Sequence, residues 1–286
     1  MKRAFSTFLG VDLGGGRGKT TAVAELRMTG PQRVEVFEVA TRAGTQPWTD
    51  VSLFERLVRP ADAAIAGTAI AGTVIAIDAP LTATACNRCT RPVCPGVETC
   101  EEPAVVWLRT TGRALVRGVA AETANGTAVS RAPAAQARLA PYAHRATEVV
   151  MTYERGLLPL TTLGHATGAI AARASHLRKR LRGAGHELHR SLIEVSPAAT
   201  IAALLGPRLA RGYKRDADPW RTRATILEHL SDELGFAPQS RMAREDVLRN
   251  DHCFDAVIGA YTAYLWARDG WDAPATLEDD GWIFAP

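Results

Sequence analysis

The sequence lacks any long apolar segment. No run of eighteen apolar residues occurs among its 286 residues, so we expect no membrane span. The first residues, Met1 to Phe5, are basic and lead directly into a strand-like pattern. A signal peptide would need an apolar stretch and a cleavage site, and neither is present here. These absences predict a cytoplasmic protein.

The chain also carries little net charge. Its formal charge of +4 permits a nucleic-acid partner but does not argue for one, because charge must be clustered to guide binding. The hydrophobic fraction of 47% and the charged fraction of 22% are those of an ordinary soluble globular protein. The length fits one large domain, or one domain with a long insertion.

Cysteine is scarce, and its placement is uneven. Four of the five cysteines, Cys86, Cys89, Cys94 and Cys100, lie within one short segment. In a reducing compartment such a group indicates metal binding or redox chemistry sooner than disulfides. The first pair has the spacing of a structural zinc knuckle, while the second pair is wider than usual. We therefore favour structural zinc over an iron–sulfur cluster or unligated thiols.

Hydrophobic periodicity predicts an α/β fold. Strands are predicted over 8–13, 20–28, 33–40, 73–78 and 191–195, and helices over 51–66, 104–121, 165–183, 198–205, 221–234 and 251–269. Residues 82–160 interrupt this pattern, so we interpret them as a cysteine-bearing helical insertion or cap within one domain of residues 1–286. The predicted order is an antiparallel three-strand meander, then a helix, then further strands that are parallel. This is the order of RNase H-like folds, in which helices flank a mixed sheet.

Acidic residues occupy corresponding places in these elements. Asp12 and Asp78 end two predicted strands, and Glu194 lies in a third. Asp255 follows His252 at a spacing that puts both on one face of the last long helix. A single acid at a strand end is often a cap, but four together need a cation between them. Mg²⁺ or Mn²⁺ suits such an oxygen shell, and a metal pair would clamp a phosphodiester for attack by water.

Short motifs around these acids resemble those of the domain-of-unknown-function family 429. The members of that family are suspected RNase H-like nucleases. The motifs are Gly10-Val11-Asp12-Leu13-Gly14-Gly15, Ile75-Ala76-Ile77-Asp78-Ala79-Pro80-Leu81, Glu194-Val195-Ser196-Pro197-Ala198, Asp255-Ala256 and Gly281-Trp282-Ile283. Arg145 and Glu148 are similar to the family's Arg-x-x-acid motif, and His252-x-x-Asp255 resembles the last metal-binding motif of RuvC-type resolvases. The resemblance implies an RNase H-like fold and a metal-dependent nuclease activity.

The glycine-rich loop after Asp12 allows a second interpretation. Gly18-Lys19-Thr20 suggests the end of a phosphate-binding P-loop, but that motif requires a glycine where Leu13 stands. Sugar kinases and actin-like ATPases place a similar hairpin around ATP phosphates, where backbone N–H groups at Gly14 and Gly15 would bind an anion. A tight hairpin without a ligand explains the glycines about as well.

A run of basic residues extends from Arg173 to Arg190. We favour a solvated helix face here, with phosphate contact along a nucleic-acid backbone as the alternative. Three functions follow from the sequence. The first is a divalent-metal phosphodiesterase in which Asp12, Asp78, Glu194 and Asp255 hold the metals, His252 assists, and Arg145 meets a phosphate. The others are an ATP-dependent phosphotransferase and a non-catalytic, zinc-bearing, nucleic-acid-binding module.

Overall fold

The fold was analysed in a computed structural model, which describes residues 2–15, 20–59, 72–124, 139–163, 167–238, 240 and 242–286. The strands are β1 (Thr7–Asp12), β2 (Ala22–Gly30), β3 (Arg33–Ala40), β4 (Arg42–Ala43), β5 (Gln46–Pro47), β6 (Thr73–Asp78), β7 (Leu192–Val195), β8 (Leu234–Phe236) and β9 (Ile283–Phe284). The α-helices are α1 (Asp50–Val58), α2 (Pro103–Trp107), α3 (Arg113–Ala124), α4 (Ala146–Val149), α5 (Gly168–Gly183), α6 (Pro197–Leu205), α7 (Pro207–Arg215), α8 (Pro219–His229), α9 (Arg244–Arg249) and α10 (Asp251–Asp269).

Seven of these strands form one mixed sheet, in the order β8-β3-β2-β1-β6-β7-β9. Strand β2 is antiparallel to both of its neighbours, β1 and β3, and every other neighbouring pair is parallel. This arrangement confirms the predicted mixed α/β fold with a meander followed by parallel strands, and it is consistent with an RNase H-like fold.

Helices cover both faces of the sheet. On one face, α10 packs against β1, β2 and β6, and its apolar side chains join the larger core cluster. Gly10 of β1 permits this close packing, because a Cβ atom there would overlap the Ala256 carbonyl oxygen of α10. On the other face, Leu53 and Leu57 of α1 and Leu177 of α5 pack against alternate residues of β1 and β6.

The start of α10 is fixed by a side-chain cap. The Asn250 side chain accepts hydrogen bonds from the backbone N–H groups of His252 and Cys253, at 3.0 and 3.2 Å. These bonds satisfy amides that the first helical turn leaves unpaired. The cap therefore fixes the residue at which α10 begins, and with it the positions of His252 in the first turn and Asp255 in the second.

The segment predicted as an insertion contains both helices and long loops where it is described. The helix predicted over 104–121 is replaced by α2, a π-helical segment over Leu108–Gly112 and α3 in direct succession. A second π-helical segment, Val150–Glu154, follows α4, and residues 125–138 lie outside the described part. The assignment of 82–160 as a cap within one domain stays a prediction.

Several predicted boundaries differ from the structure. The helix predicted over 51–66 is α1, which ends at Val58, and residues 60–71 lie outside the described part. The helix predicted over 221–234 ends at His229, because Leu234 instead begins β8 and pairs with Val34 at the sheet edge. Helix α7 and strands β8 and β9 were not predicted. No helix in the described part of the chain combines the length and apolarity that crossing a membrane requires.

Candidate metal centre

Three aspartates from three different elements meet at one edge of the sheet. Asp12 ends β1, Asp78 ends β6, and Asp255 lies in the second turn of α10. One carboxylate oxygen from each lies within 4.8 Å of the other two. Within the described residues, this is the one group of three or more acidic, histidine or cysteine side chains at such spacing.

Strand register explains why Asp12 and Asp78 meet. The two residues are direct partners across the parallel β1–β6 pair. Side chains alternate between the faces of a sheet, and Phe8 of β1 and Ala76 of β6 belong to the cluster on the α10 side. Asp12 and Asp78 share that parity, so both carboxylates point toward α10. Asp255 extends from that helix to complete the group, which we call the aspartate triad.

Burial and the neighbouring charges shift the pKa values of two of these carboxylates, Asp78 and Asp255. Burial raises the pKa of Asp78 well above its usual value, and the charges of Asp12 and Asp255 raise it further. Burial also raises the pKa of Asp255, to about 6, against the opposing effect of the Lys214 ammonium group. Asp78 and Asp255 therefore hold protons more tightly than isolated aspartates do, as expected of buried carboxylates that share a site.

His252 adjoins the triad at its solvent side. Its Nδ1 lies 2.5 Å from Oδ2 of Asp12, and its side chain is 43% exposed. The hydrogen bond to Asp12 raises the pKa of His252. Because Nδ1 is held by a carboxylate, the other ring nitrogen is left for contacts at the mouth of the site.

Lys214 is the residue that the sequence analysis missed. It lies near the end of α7, and its ammonium group forms an ion pair with Oδ2 of Asp255. Burial lowers the pKa of Lys214, but the charges of Asp255, Asp78 and Asp12 outweigh this effect and raise it. Leu209, Ala210 and Tyr213 face the core at helical spacing, and this pattern was the signal that could have revealed α7.

The structure does not bring Glu194 into the triad. Glu194 is the register partner of Ile77, not of Asp78. Its neighbours Ile193 and Val195 belong to the cluster on the α10 side, so the Glu194 side chain points to the opposite face of the sheet. Glu194 thus lies in the strand next to Asp78, but its side chain is on the face of the sheet opposite the aspartate triad.

Glu194 instead forms a buried ion-pair network. Its two oxygens accept hydrogen bonds from both terminal nitrogens of Arg145, at 2.8 and 2.7 Å. Arg145 also donates from Nε to Glu148 at 2.9 Å, and its side chain is fully buried. These contacts give Arg145 and Glu148 a structural role, and their role in binding substrate stays a prediction. The network also fixes the segment after β6, because Glu194 accepts from the backbone N–H of Leu81.

The family model described as "Protein of unknown function (DUF429)" matches residues 10–277. The chain belongs to this family. The matched region contains the whole aspartate triad together with His252 and Lys214. Membership in DUF429 names no reaction, so the chemistry must be inferred from the site. No curated protein and no solved structure matches the chain.

The glycine loop of this DUF429 protein is engaged internally where it is described. The backbone N–H of Gly14 donates to Thr21 Oγ1 at 3.0 Å, and its carbonyl accepts from Arg173 at 2.6 Å. A Cβ atom at Gly15 would lie 2.8 Å from Ile170 of α5. These contacts explain Gly14 and Gly15 by hydrogen bonding and close packing. Residues 16–19, which carry the rest of the loop, lie outside the described part.

The four clustered cysteines lie in an exposed loop ahead of α2. Cys89 and Cys94 are exposed, Cys86 and Cys100 are half-buried, and all four are free thiols. Burial raises the pKa of Cys86, and the nearby thiols of the other three raise it further. In the described chain no three of these sulfurs reach the spacing found in the aspartate triad. Zinc or iron–sulfur binding at this loop stays a prediction.

The triad fits a small, hard divalent cation. Its donors are all carboxylate oxygens, the ligand type that Mg²⁺ and Mn²⁺ prefer. Although Asp255 is 1% exposed, its Oδ1 has no hydrogen-bond partner among the described residues. A buried carboxylate oxygen without a donor is unfavourable unless something else neutralises it. A bound cation at this position would provide that neutralisation.

Proposed function

We propose that this DUF429 protein is a divalent-metal-dependent phosphodiester hydrolase that acts on nucleic acid. The observation that carries the proposal is the convergence of Asp12, Asp78 and Asp255, with one oxygen from each within 4.8 Å of the others. Like charges at this spacing repel unless a cation lies between them. The side chains would hold Mg²⁺ or Mn²⁺, which would supply an activated water and stabilise charge on a phosphodiester.

His252 is suited to proton transfer at this site. Its Nδ1 is fixed by Asp12 at 2.5 Å, which orients the ring. The exposed side of the imidazole would take a proton from the attacking water or deliver one to the leaving oxygen. A fixed ring performs either step with less loss of orientational freedom than a mobile one.

Lys214 is suited to binding the reacting phosphate. Its ammonium group contacts Asp255 at the edge of the triad, and its side chain is 42% exposed. A cation held by the triad would weaken the attraction between Lys214 and Asp255. The ammonium group would then pair with a phosphate oxygen and stabilise the negative charge that develops during hydrolysis.

A phosphotransferase is less well supported. It would need the Gly14 amide to bind an ATP phosphate, yet that amide donates to Thr21 at 3.0 Å. A non-catalytic module would keep the fold but would not require acids gathered at the edge of the sheet. The hydrolase therefore accounts for more of the observed contacts.

The direct test is cleavage of fluorescently labelled single-stranded DNA, duplex DNA, RNA–DNA hybrid and branched DNA by protein freed of metal with a chelator. We expect cleavage that depends on added Mg²⁺ or Mn²⁺. Asp12→Asn, Asp78→Asn and Asp255→Asn should each reduce the rate by about 10²-fold or more, since each removes a ligand charge.

Asp272→Asn is the matched control, because Asp272 is an exposed aspartate whose ion-pair partner is Arg3, remote from the triad. This variant should cleave at the wild-type rate. Hydrolysis that persists without divalent metal, or that survives in all three triad variants, would contradict the proposal. Calorimetric titration with Mg²⁺ separates loss of metal binding from loss of chemistry.

A further inference from the structure

Helix α7 presents two very different faces. Ala210 and Tyr213 are buried in the larger core cluster, and the helix packs against α6 and α8. Its other face carries Arg208, Arg211 and Arg215, which are all exposed. No acidic residue lies within α7 itself. The helix is therefore held by its apolar face and shows a row of positive charges to solvent.

This row of charges leads to the aspartate triad. At about 100° per residue, Arg208, Arg211, Lys214 and Arg215 fall within an arc of about 120° on the helix surface. Lys214 is the member that reaches Asp255. From Arg208 to Arg215 the helix rises about 10 Å, comparable to three phosphates along one strand of B-form DNA. The geometry thus links a cationic track to a candidate metal centre.

The three arginines of this row are free to meet a ligand. Within the described part of the chain, the side chains of Arg208, Arg211 and Arg215 form no hydrogen bond or ion pair. The nearest acids in the chain are already engaged. Asp216 accepts from the Thr222 hydroxyl at 2.7 Å, and Asp218 accepts from the backbone N–H of Arg221 at 3.0 Å.

The basic helix α5 provides a contrast. Arg173 forms an ion pair with Asp50 at 2.6 Å, and Arg178 donates to the Leu81 carbonyl at 3.1 Å. Arg180 donates to the Asp50 carbonyl and lies over the Phe54 ring. These arginines hold the helix to the core, so α5 is less suited than α7 to contact a ligand.

We propose that the exposed arginines of α7 bind the sugar–phosphate backbone of a nucleic-acid strand and guide it to the aspartate triad. The ligand is a polyanion whose charges repeat along a line, which a row of guanidinium groups matches and a mononucleotide does not. This inference deepens the proposed function and rests on it only for what happens to the bound strand. Binding through α7 does not require that the strand be cleaved.

The test is therefore a binding measurement with no turnover. Fluorescence anisotropy of a labelled strand of about 20 nucleotides is recorded in EDTA, between about 50 and 200 mM NaCl. Wild-type protein is compared with Arg208→Gln/Arg211→Gln/Arg215→Gln. We expect the triple variant to bind about tenfold to a hundredfold more weakly. The slope of log K against log salt should also fall by about two, because each replaced arginine leaves one phosphate unneutralised and each phosphate contact on a single strand contributes about 0.7 to the slope.

Arg190→Gln is the matched control. Arg190 has an 81% exposed side chain. It precedes the amino end of β7, whereas the triad lies at the carboxyl ends of the parallel strands β1 and β6. This variant should keep the wild-type affinity and salt slope. Because all four arginines are exposed, the variants should unfold at the wild-type temperature, which thermal unfolding checks.

The outcomes separate this inference from the proposed hydrolase activity. Wild-type protein that fails to bind the labelled strand in EDTA would overturn it. So would a triple variant with unchanged affinity and salt slope. Strand binding that disappears in the triple variant supports the track even when no cleavage is detected, a result that would count against the hydrolase alone.

Discussion

At the scale of single residues, Lys214 and Asp255 define a competition at the triad. Asp255 is buried, and Lys214 is its one cationic partner among the described residues. A divalent cation bound to the same carboxylate would repel the ammonium group. The ion pair therefore stabilises the metal-free protein and opposes metal binding at the same time.

Replacing Lys214 with Met should expose this competition. Lys214→Met keeps the apolar stem but leaves the Asp255 carboxylate without its counter-charge. We expect the metal-free protein to lose about 1–2 kcal/mol of unfolding free energy, below the value for a fully buried pair because Lys214 is half-exposed. Mg²⁺ affinity should rise several-fold. Urea unfolding in EDTA and calorimetric titration with Mg²⁺ measure the two effects.

The conservative variant Lys214→Arg serves as the control, because it keeps the charge and should change Mg²⁺ affinity little. Weaker Mg²⁺ binding in Lys214→Met than in wild type would show that the ammonium group does not compete for Asp255.

At the scale of elements, strand β7 shows how one residue of register decides a role. Glu194 and Asp78 are both acids on neighbouring parallel strands. Glu194 lies within β7, and Asp78 ends β6. Alternation places Glu194 on the face away from α10, where it neutralises Arg145 at 2.7 Å. The network that results holds the segment after β6 to β7 through Leu81. Glu194 therefore supports the site without entering it.

The variant Glu194→Gln separates these two roles. It preserves the size of the side chain but leaves the buried Arg145 short of one counter-charge, so we expect a loss of about 3–5 kcal/mol in unfolding free energy. Mg²⁺ affinity of the folded protein should stay within about twofold of wild type. Urea unfolding and calorimetric titration test both expectations.

Glu187→Gln is the control here, because the one ion-pair partner of Glu187 within the described residues is the exposed Arg190, at 3.4 Å. Its unfolding free energy should change by less than about 0.5 kcal/mol. If Glu194→Gln abolished Mg²⁺ binding while leaving stability intact, Glu194 would be a metal ligand after all.

The cysteine loop is the second element whose role can be tested. Four thiols within fifteen residues predict about one bound zinc per chain. Burial together with the neighbouring thiols raises the pKa of Cys86. Plasma emission spectrometry of protein purified under reducing conditions should find zinc. Cys89→Ser should lose it, while the control Cys253→Ser should retain it, because Cys253 is buried in α10.

Iron with visible absorption would instead identify an iron–sulfur cluster. Metal-free protein whose four loop thiols all react with a thiol reagent would contradict both forms of metal binding.

For the whole molecule, the central sheet was predictable because its strands are apolar and bounded by turns. The acids Asp12 and Asp78 were found for the same reason, since each ends a strand that is buried on both faces. Lys214 was missed because α7 is short and strongly basic, so that its few apolar positions give only a weak helical pattern in the sequence. Glu194 was misplaced because a sequence gives the strand but not its register against β6. Long-range pairing, rather than local pattern, decided both cases.

Stability of the whole molecule should respond to pH through the triad. The pKa of Asp255 rises from its usual 3.8 to about 6, and the pKa of Asp78 rises as well. A raised pKa means that the folded state binds protons more tightly than the unfolded chain does. The contribution of Asp78 and Asp255 to the free energy of unfolding is therefore fully present below about pH 4, and it is lost as the pH rises through about 6. Other carboxylates also change the unfolding free energy with pH. The contribution of Asp78 and Asp255 is therefore measured as the difference between wild type and a variant that lacks them.

We expect the stability of wild type relative to Asp78→Asn/Asp255→Asn, measured in EDTA, to fall by about 3 kcal/mol or more between pH 4 and pH 7. The stabilisation of wild type by Mg²⁺ should grow over the same range, because the cation binds the deprotonated triad. Thermal and urea unfolding with and without Mg²⁺ provide both curves. A Mg²⁺ effect that is constant with pH, or that persists in the double variant, would place the cation somewhere other than the triad.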